Sequence, residues 1–257
     1  MKNAMIFAAG LGTRLKPYTD HCPKAMVEVA GRPMIAHQLM KLREAGFTRV
    51  VINIHHYAEQ IIDYVNANNG FGLDVAFSDE RGQLLDTGGG IRKALPHFDT
   101  TSPILVHNVD IFSNTDLAAF YDAHMASGAD ASLLVSQRNT SRYLIFGADD
   151  TLVGWKNVQT GDVRTPYNTL IPTLEGLTNA GTDSSPYRLC AFAGIHVLSH
   201  TLVPFLESQP EVFSITTFYW QHAAQLDIRG IEAPNNFRWV DAGKPEALAI
   251  AGDIVGG

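Results

Sequence analysis

The stretch AMIFAAGLGTRLKPYTDHCPK, residues 4–24, contains the strongest structural signal in the chain. Its first six residues are all apolar and end at Gly10, a pattern typical of a strand buried on both faces of a parallel sheet. Gly10 and Gly12 allow backbone N–H groups to approach phosphate oxygens closely. Arg14 adds a planar group that can bind phosphate through two hydrogen bonds, and Lys24 follows as a point charge. The stretch therefore predicts a buried strand that leads into a phosphate-binding loop.

Two glycines alone are weak evidence, because any tight turn from a strand into a helix can require glycine. The loop lacks the Gly-Lys-Ser/Thr sequence of a P-loop. It also lacks the third glycine of a dinucleotide fingerprint and the helix that such a motif should begin. Both of those nucleotide-binding motifs are therefore excluded, and the loop has to be interpreted with the rest of the chain.

Short apolar runs alternate with helical patterns through the first half of the chain. The predicted strands are 4–9, 49–54, 73–77, 104–108 and 131–135, and the predicted helices are 34–45, 58–66, 90–95 and 117–125. Further on, the pattern predicts a strand at 190–198, a helix at 218–224 and a last strand at 238–241. This alternation predicts an α/β fold with a mostly parallel, twisted sheet and right-handed crossovers. Ligands of such sheets bind beyond the carboxyl ends of the strands, where the loop at Gly10 lies.

Composition restricts the class of protein. The chain has 257 residues, 46% of them hydrophobic and 18% charged, which suits one enzyme-sized domain with a real core. Its net charge of -7 argues against a nucleic-acid partner or an anionic membrane surface. The two cysteines, Cys22 and Cys190, are too few for a disulfide framework. With no signal-peptide pattern and no apolar run near the ~20 residues of a membrane span, we expect a cytoplasmic protein.

Two aspartates end apolar runs and are candidate metal ligands. Asp110 follows the predicted strand 104–108, and Asp241 ends the predicted strand 238–241 and precedes Ala242-Gly243. Each carboxylate taken alone could equally well be a backbone or helix cap. The adjacent pair His55-His56 is a poor metal candidate, because neighbouring side chains of an extended chain point in opposite directions.

Several segments together resemble the signature of the sugar-1-phosphate nucleotidylyltransferases, the nucleotide-sugar pyrophosphorylases. The matching segments, in family order, are AAGLGTRLKPYT (8–19), CPKAM (22–26), VEVAGRPMI (27–35), SDE (78–80), LLDTGGGI (84–91), VHNVD (106–110), FAGI (192–195) and WVDAG (239–243). The resemblance implies a three-layer, Rossmann-like sheet of the glycosyltransferase-A kind. It also implies transfer of a nucleotidyl group from a nucleoside triphosphate to a sugar-1-phosphate.

The family's site residues are carried over only where this sequence matches its motifs. The resemblance implies nucleotide contacts from Ala9, Gly10, Gly12, Thr13, Arg14, Glu80, Gly88, Gly89 and Asn108. It implies that Arg14, Lys24 and Asp110 are catalytic, and that Lys24, Gly194 and Asp241 contact the sugar phosphate. It further implies that Asp110 and Asp241 hold Mg²⁺, a hard cation that prefers oxygen ligands.

Two departures bear on the assignment within the family. Val109 stands where the family usually has glycine, and the run Thr87-Gly88-Gly89-Gly90 most resembles N-acetylmuramate-1-phosphate uridylyltransferase-like members. No hexapeptide repeat of a C-terminal β-helix follows, which suits that compact subgroup. Mannose- or heptose-1-phosphate guanylyltransferases and other nucleotide-sugar synthases are compact alternatives.

The expected organisation is a single domain, 1–257, in which 1–150 binds the nucleotide and 151–257 binds the sugar. Residues 155–188 have little periodicity and are expected to form a lid or insertion. We expect a monomer or a small homo-oligomer. Two other functions remain open: a non-catalytic nucleotide-sugar-binding regulator, and a cytidylyltransferase acting on a non-sugar phosphate such as phosphocholine. The regulator should have lost a catalytic residue, whereas the cytidylyltransferase should have an aromatic cage.

Overall fold

A computed structural model describes residues 1–99, 101–178 and 185–256. The strands are β1 Asn3–Phe7, β2 Glu28–Val29, β3 Arg32–Pro33, β4 Arg49–Ile54, β5 Asp74–Asp79, β6 Ile104–Asn108, β7 Ile111–Ser113, β8 Ala131–Ser136, β9 Arg142–Phe146, β10 Leu152–Asn157, β11 Val163–Arg164, β12 Arg188–Leu198, β13 Ile228–Glu232 and β14 Trp239–Asp241. The helices are α1 Met34–Glu44, α2 Ala58–Ala67, α3 Asp86–Ala94, α4 Leu117–Ser127, α5 Ile171–Glu175, α6 Val203–Glu207, α7 Ile215–His222 and α8 Leu248–Val255. Single 3₁₀ turns at Thr13–Leu15 and Lys24–Met26 follow β1.

The first half of the chain builds the parallel part of the central sheet, in the order β6-β1-β4-β5. Neighbouring residues of these strands face opposite sides. Met5 of β1 packs in one core, while Ala4 and Ile6 pack in the other. Burying one large aliphatic side chain stabilises the fold by about 1.5–3 kcal/mol. The continuous apolar runs are therefore explained by a sheet that is covered on both faces.

The antiparallel part of the sheet is centred on β12. This strand pairs with β6, with β8 and with β9, and β10 and β11 continue the sheet beyond β9. Because β6 and β12 are neighbours, one sheet joins the two halves of the chain. β13 adds to β8 in parallel, and β14 forms a separate ribbon with β7.

Helices cover both faces of the sheet and give three layers. Apolar residues of α1, α2, α4 and α8 share one core with the sheet, and those of α3, α6 and α7 share the other. The prediction of an α/β, Rossmann-like fold with a large, mostly parallel central sheet is confirmed, with the antiparallel pairings concentrated in the second half. None of the described helices is long and apolar enough to span a bilayer.

The structure differs from the sequence predictions in two regions. The helix predicted at 90–95 begins at Asp86, so the three glycines from Gly88 lie inside α3 instead of in a loop. The region 155–188 contributes the end of β10, the strand β11 and the helix α5. This part of the proposed lid therefore extends the sheet, while residues 179–184 lie outside the described part of the chain.

Candidate active site

A cleft of about 420 Å³ opens at the carboxyl ends of β1, β4 and β6. It brings together eight predicted site residues: Ala9, Gly10, Arg14, Lys24, Glu80, Asn108, Asp110 and Asp241. Phe7, Asn53, Leu84, Asp86, Thr87, Val109 and Ile111 complete the lining. Polar groups that are far apart in sequence thus converge at the sheet edge where α/β folds bind ligands.

The glycine loop owes its shape to Gly12. This residue has φ +66°, a left-handed conformation that favours glycine. A Cβ there would come within 2.9 Å of Thr19 Cγ2, while Thr19 Oγ1 donates to the Gly12 carbonyl at 2.9 Å. Neither Gly12 nor Thr13 lines the cleft, since Gly12 closes the turn and Thr13 begins the 3₁₀ turn behind it. Both residues shape the loop in this structure, and their nucleotide contacts stay a prediction.

A buried polar link supports the beginning of the loop. Asn53 Oδ1 accepts hydrogen bonds from the N–H groups of Ala8 at 2.7 Å and Ala9 at 3.3 Å. Its Nδ2 donates to Glu80 Oε1 at 2.8 Å, and Glu80 is only 1% exposed. Sequence reasoning missed Asn53, although an asparagine near the end of an otherwise apolar strand was the signal that could have found it.

The charged centre consists of two ion pairs. Lys24 Nζ contacts Asp110 Oδ2, and both side chains are largely buried. Arg14 Nη2 lies 3.4 Å from Asp241 Oδ2. The β7–β14 ribbon brings the aspartates together, because Ile111 pairs with Asp241 across it and Ala242 N–H donates to the Asp110 carbonyl at 2.8 Å.

Electrostatics distinguishes the two carboxyl groups. Burial raises the pKa of Asp110; Lys24 opposes that rise and the negative charge of Asp241 adds to it. Burial also disfavours the ionised form of Asp241. Hydrogen bonds from Asp110 and from the Gly243 N–H, together with the charges of Arg14 and Lys24, outweigh it and lower the pKa of Asp241.

Two adjoining carboxylates that face a cleft fit a hard divalent cation. Mg²⁺ commonly uses one or two protein carboxylates and takes its other ligands from phosphates and water. Asp110 and Asp241 supply that number. Among the described residues there is no cluster of three or more His, Cys, Asp or Glu with metal-site geometry.

Gly194 lies behind the cleft and does not line it. It has φ +76°, and a Cβ there would lie 2.9 Å from Asn108 Nδ2 and 3.2 Å from Ile111 Cγ1. Glycine at this position in β12 therefore leaves room for the Asn108 carboxamide. The sugar contact of Gly194 itself stays a prediction.

The base contacts of Gly88 and Gly89 stay a prediction, and within the fold these two residues contact the segment that precedes α7. Their N–H groups both donate to the Phe213 carbonyl, at 2.8 and 3.2 Å. A Cβ on Gly88 would clash with the Phe213 ring, and one on Gly89 would clash with the Glu211 carbonyl. These glycines allow α3 to pack closely against residues 211–213, and their donors are already used. From this segment, Leu84, Asp86 and Thr87 reach the cleft instead.

Comparison with known proteins is consistent with this site. Residues 3–152 match the profile of the nucleotidyl transferase family, and the chain belongs to that family. The predicted resemblance to sugar-1-phosphate nucleotidylyltransferases, and with it the expectation of a nucleotidyltransferase, is confirmed.

Individual relatives indicate which members of the family the chain is similar to. The chain is 32% identical over 252 residues to the N-acetylmuramate alpha-1-phosphate uridylyltransferase of Caulobacter vibrioides, covering 97% of this chain and 95% of that protein. It is 42% identical over 118 residues to the enzyme of the same name from Neisseria meningitidis serogroup B, covering 46% of this chain and 51% of that one. The crystal structure of HddC from Yersinia pseudotuberculosis superposes with a TM-score of 0.72 at 21% identity, covering 98% and 99% of the two chains, and it bears on the fold alone.

Proposed function

We propose that this enzyme transfers the uridylyl group of UTP to N-acetylmuramate-1-phosphate, releasing pyrophosphate. The observation that carries the reaction type is the convergence of Arg14, Lys24, Asp110 and Asp241 on one cleft beside the glycine loop. The similarity to the Caulobacter vibrioides uridylyltransferase, which extends over nearly both whole chains, supports this choice of base and sugar.

The reaction needs alignment and charge neutralisation more than proton transfer. An oxygen of the sugar phosphate, already an anion at neutral pH, attacks the α-phosphorus. The new P–O bond forms as the bond to the β-phosphate oxygen breaks, and pyrophosphate leaves with that electron pair. A positioned nucleophile and preorganised charges supply most of the rate enhancement for such a step.

Each charged residue has a separate task in this proposal. Arg14 and the loop N–H groups near Gly10 hold the β- and γ-phosphates. Lys24 Nζ moves from Asp110 towards the α-phosphate and the attacking phosphate, where negative charge accumulates. Asp110 and Asp241 would hold Mg²⁺, which would supply a Lewis acid for the phosphate oxygens.

The division of the chain follows the same scheme. We assign nucleotide binding to 1–150 and sugar binding to 151–257, with Asp241 reaching back into the cleft. An N-acetylmuramate substrate would place the enzyme in cell-wall recycling in the cytoplasm, where UTP is available. A guanylyltransferase for mannose- or heptose-1-phosphate is the alternative. A monomer or a small homo-oligomer is compatible with either.

A pyrophosphate-release screen tests the proposal. It crosses the four common nucleoside triphosphates with the 1-phosphates of N-acetylmuramate, N-acetylglucosamine, mannose, glucose and heptose. We expect the highest kcat/KM for UTP with N-acetylmuramate-1-phosphate. Faster turnover of GTP with mannose- or heptose-1-phosphate would favour the alternative. No release with any pair would favour a non-catalytic nucleotide-sugar-binding regulator.

Dependence on the cation is tested separately. We expect exhaustive chelation to abolish turnover and added Mg²⁺ to restore it. Asp110→Asn removes one charge from the proposed ligand pair, so this variant should need a higher Mg²⁺ concentration and lose at least tenfold in kcat. Full activity after chelation would overturn the assignment of Asp110 and Asp241.

A further inference from the structure

A second cavity, of about 460 Å³, lies beside the active-site cleft at the antiparallel end of the sheet. Arg138, Arg142 and Arg164 line it, with the indole rings of Trp155 and Trp220. Its volume falls in the usual range for a small-molecule site, about 300–1,000 Å³. We call it the arginine cavity.

The charge of the arginine cavity contrasts with that of the chain. None of the described residues that line it is acidic, although the whole chain has a net charge of -7. Within the described ranges, the guanidinium groups of Arg142 and Arg164 have no hydrogen bond and no ion-pair partner. Arginine is well suited to bind carboxylate or phosphate through two parallel hydrogen bonds. Two such groups thus line one cavity, and no anionic side chain of the described residues pairs with them.

Arg138 is held more firmly than the other two arginines. Its guanidinium stacks over the Trp239 ring at 4.0 Å, and Nη2 donates to the Phe192 carbonyl at 2.8 Å. Its Nε is buried and has no partner among the described residues. A buried donor without a partner destabilises the fold, so an anion that accepted a hydrogen bond from this atom would remove that penalty.

Arg138 also links the cavity to the active site. The Trp239 ring beneath it belongs to β14, the strand that carries Asp241, and the charges of Arg138 and Asp241 interact. The lining also includes Ser214, the N-cap residue of α7, and Thr216 and Thr217 of its first turn. The amino-terminal end of a helix also favours anions. In the same turn, Ile215 N–H donates to Thr87 Oγ1 at 3.0 Å, and Thr87 lines the cleft, so the walls of the two cavities adjoin.

We propose that the arginine cavity binds the sugar end of the sugar-1-phosphate and selects sugars that bear a second acidic group. This inference rests on the proposed function and deepens it. N-Acetylmuramate fits the requirement, because it is N-acetylglucosamine with a lactyl ether that ends in a carboxylate. Arg142 and Arg164 bind that carboxylate, and the two indole rings cover the apolar faces of the sugar. The same positive charges repel a quaternary amine, so the cavity is a poor site for phosphocholine.

A matched substrate pair tests the assignment. N-Acetylmuramate-1-phosphate and N-acetylglucosamine-1-phosphate differ only by the lactyl group, and both are offered with UTP. We expect the wild-type enzyme to prefer the lactyl-bearing substrate by at least tenfold in kcat/KM. In the double variant Arg142→Met/Arg164→Met, kcat/KM for that substrate should fall at least tenfold, and that for N-acetylglucosamine-1-phosphate should change less than threefold.

The controls separate the possible failures. Arg43→Met removes one exposed charge from α1, away from both cavities, and should change neither value. Equal losses for both substrates would show that the arginines act on the shared phosphate or on the fold, and would overturn the assignment. Equal wild-type rates for the two substrates would overturn it too, while leaving the proposed reaction intact.

Binding gives a readout that does not depend on turnover. Isothermal titration with each sugar phosphate, without nucleotide, should show the same preference in the wild type and its loss in the double variant. If no pair of nucleoside triphosphate and sugar phosphate releases pyrophosphate, the proposed function is wrong. The titration still tests whether the arginine cavity binds the lactyl carboxylate. A titration without discrimination between the two sugar phosphates overturns the cavity assignment.

Discussion

Replacing Asn53 by alanine tests how the glycine loop is held in place. Asn53 is 4% exposed, and its carboxamide joins the loop N–H groups of Ala8 and Ala9 to the carboxylate of Glu80. Asn53→Ala removes the acceptor and the donor together. No other described side chain is hydrogen-bonded to Glu80 Oε1, so the truncation leaves that buried oxygen without its partner.

The structure sets the size of the effect. The contacts at 2.7 Å to Ala8 N–H and at 2.8 Å to Glu80 are well formed, whereas the 3.3 Å contact to Ala9 N–H is weak. A buried group left without a partner costs about 1–3 kcal/mol, and more if it is charged. Counting about 1–3 kcal/mol for each of the two well-formed contacts, we expect Asn53→Ala to lower the free energy of unfolding by about 2–6 kcal/mol. Because the loop loses its support, kcat/KM for the nucleoside triphosphate should fall as well.

The measurement is urea unfolding at equilibrium, followed by circular dichroism and by tryptophan fluorescence. Ser78→Ala is the matched control. Ser78 lies opposite Asn53 on β5 and is equally buried, but its Oγ has no partner among the described residues. Its removal should change the free energy of unfolding by less than about 1 kcal/mol. A loss below about 1 kcal/mol for Asn53→Ala, or an equal loss for both variants, would refute the reasoning.

Three further predictions concern the active site, the packing of α3 and the dependence of stability on pH. Lys24→Ala should lower kcat more than tenfold in the pyrophosphate-release assay and keep the fold. Lys16 is an exposed residue of the same segment, and Lys16→Ala should keep a kcat near that of the wild type. Equal kcat values for the two variants would contradict the mechanism. Gly88→Ala places a methyl group against a facing aromatic ring and should destabilise the protein by about 1–3 kcal/mol in thermal unfolding. Gly82→Ala, with no atom within 4 Å of its new Cβ, should change stability by under about 0.5 kcal/mol, and similar melting temperatures would be the contrary result. Burial lowers the pKa of His196 to about 3 in the fold, so the unfolded chain takes up this proton first as the pH falls below the ordinary value of 6.5. Because of this group, the free energy of unfolding should decline from about pH 6.5 towards pH 3 by up to about 1.4 kcal/mol per pH unit. His196→Gln should reduce this slope. An unchanged slope of the free energy of unfolding against pH in the variant would contradict the assignment.

The features that sequence could predict are those with a local pattern. The apolar run that ends at Gly10 specifies a strand buried on both faces, and its carboxyl end must lie at the ligand-binding edge of a parallel sheet. Asp110 and Asp241 end apolar runs in the same way. The pattern of strand ends predicted the position of Asp110 at this edge, whereas its meeting with Asp241, which ends the separate β7–β14 ribbon, was implied by the family resemblance.

The features that sequence could not predict depend on contacts between distant segments. Gly88 resembles a loop residue because glycine disfavours helix. In the structure it lies in α3 and packs against the ring of Phe213, which is far along the chain. Strand β9 is a buried apolar run that pairs with β12, far along the chain, and β11 has only two residues and is defined by its pairing with β10. The role of Asn53 in the site was missed because one polar residue in an apolar strand has no evident partner in the sequence. Its partner Glu80 is identified only by the structure.

The position of β12 has a consequence for how the protein is made. β6 pairs with β1 on one side and with β12 on the other, and about 90 residues separate the ends of these two strands. At about 5–20 residues per second, a ribosome takes roughly 5–20 s to add that length. Throughout that interval the nascent chain carries a finished strand with one free edge, and an unpaired edge invites association with other chains. Chaperone protection is therefore most valuable to this protein between the synthesis of β6 and that of β12.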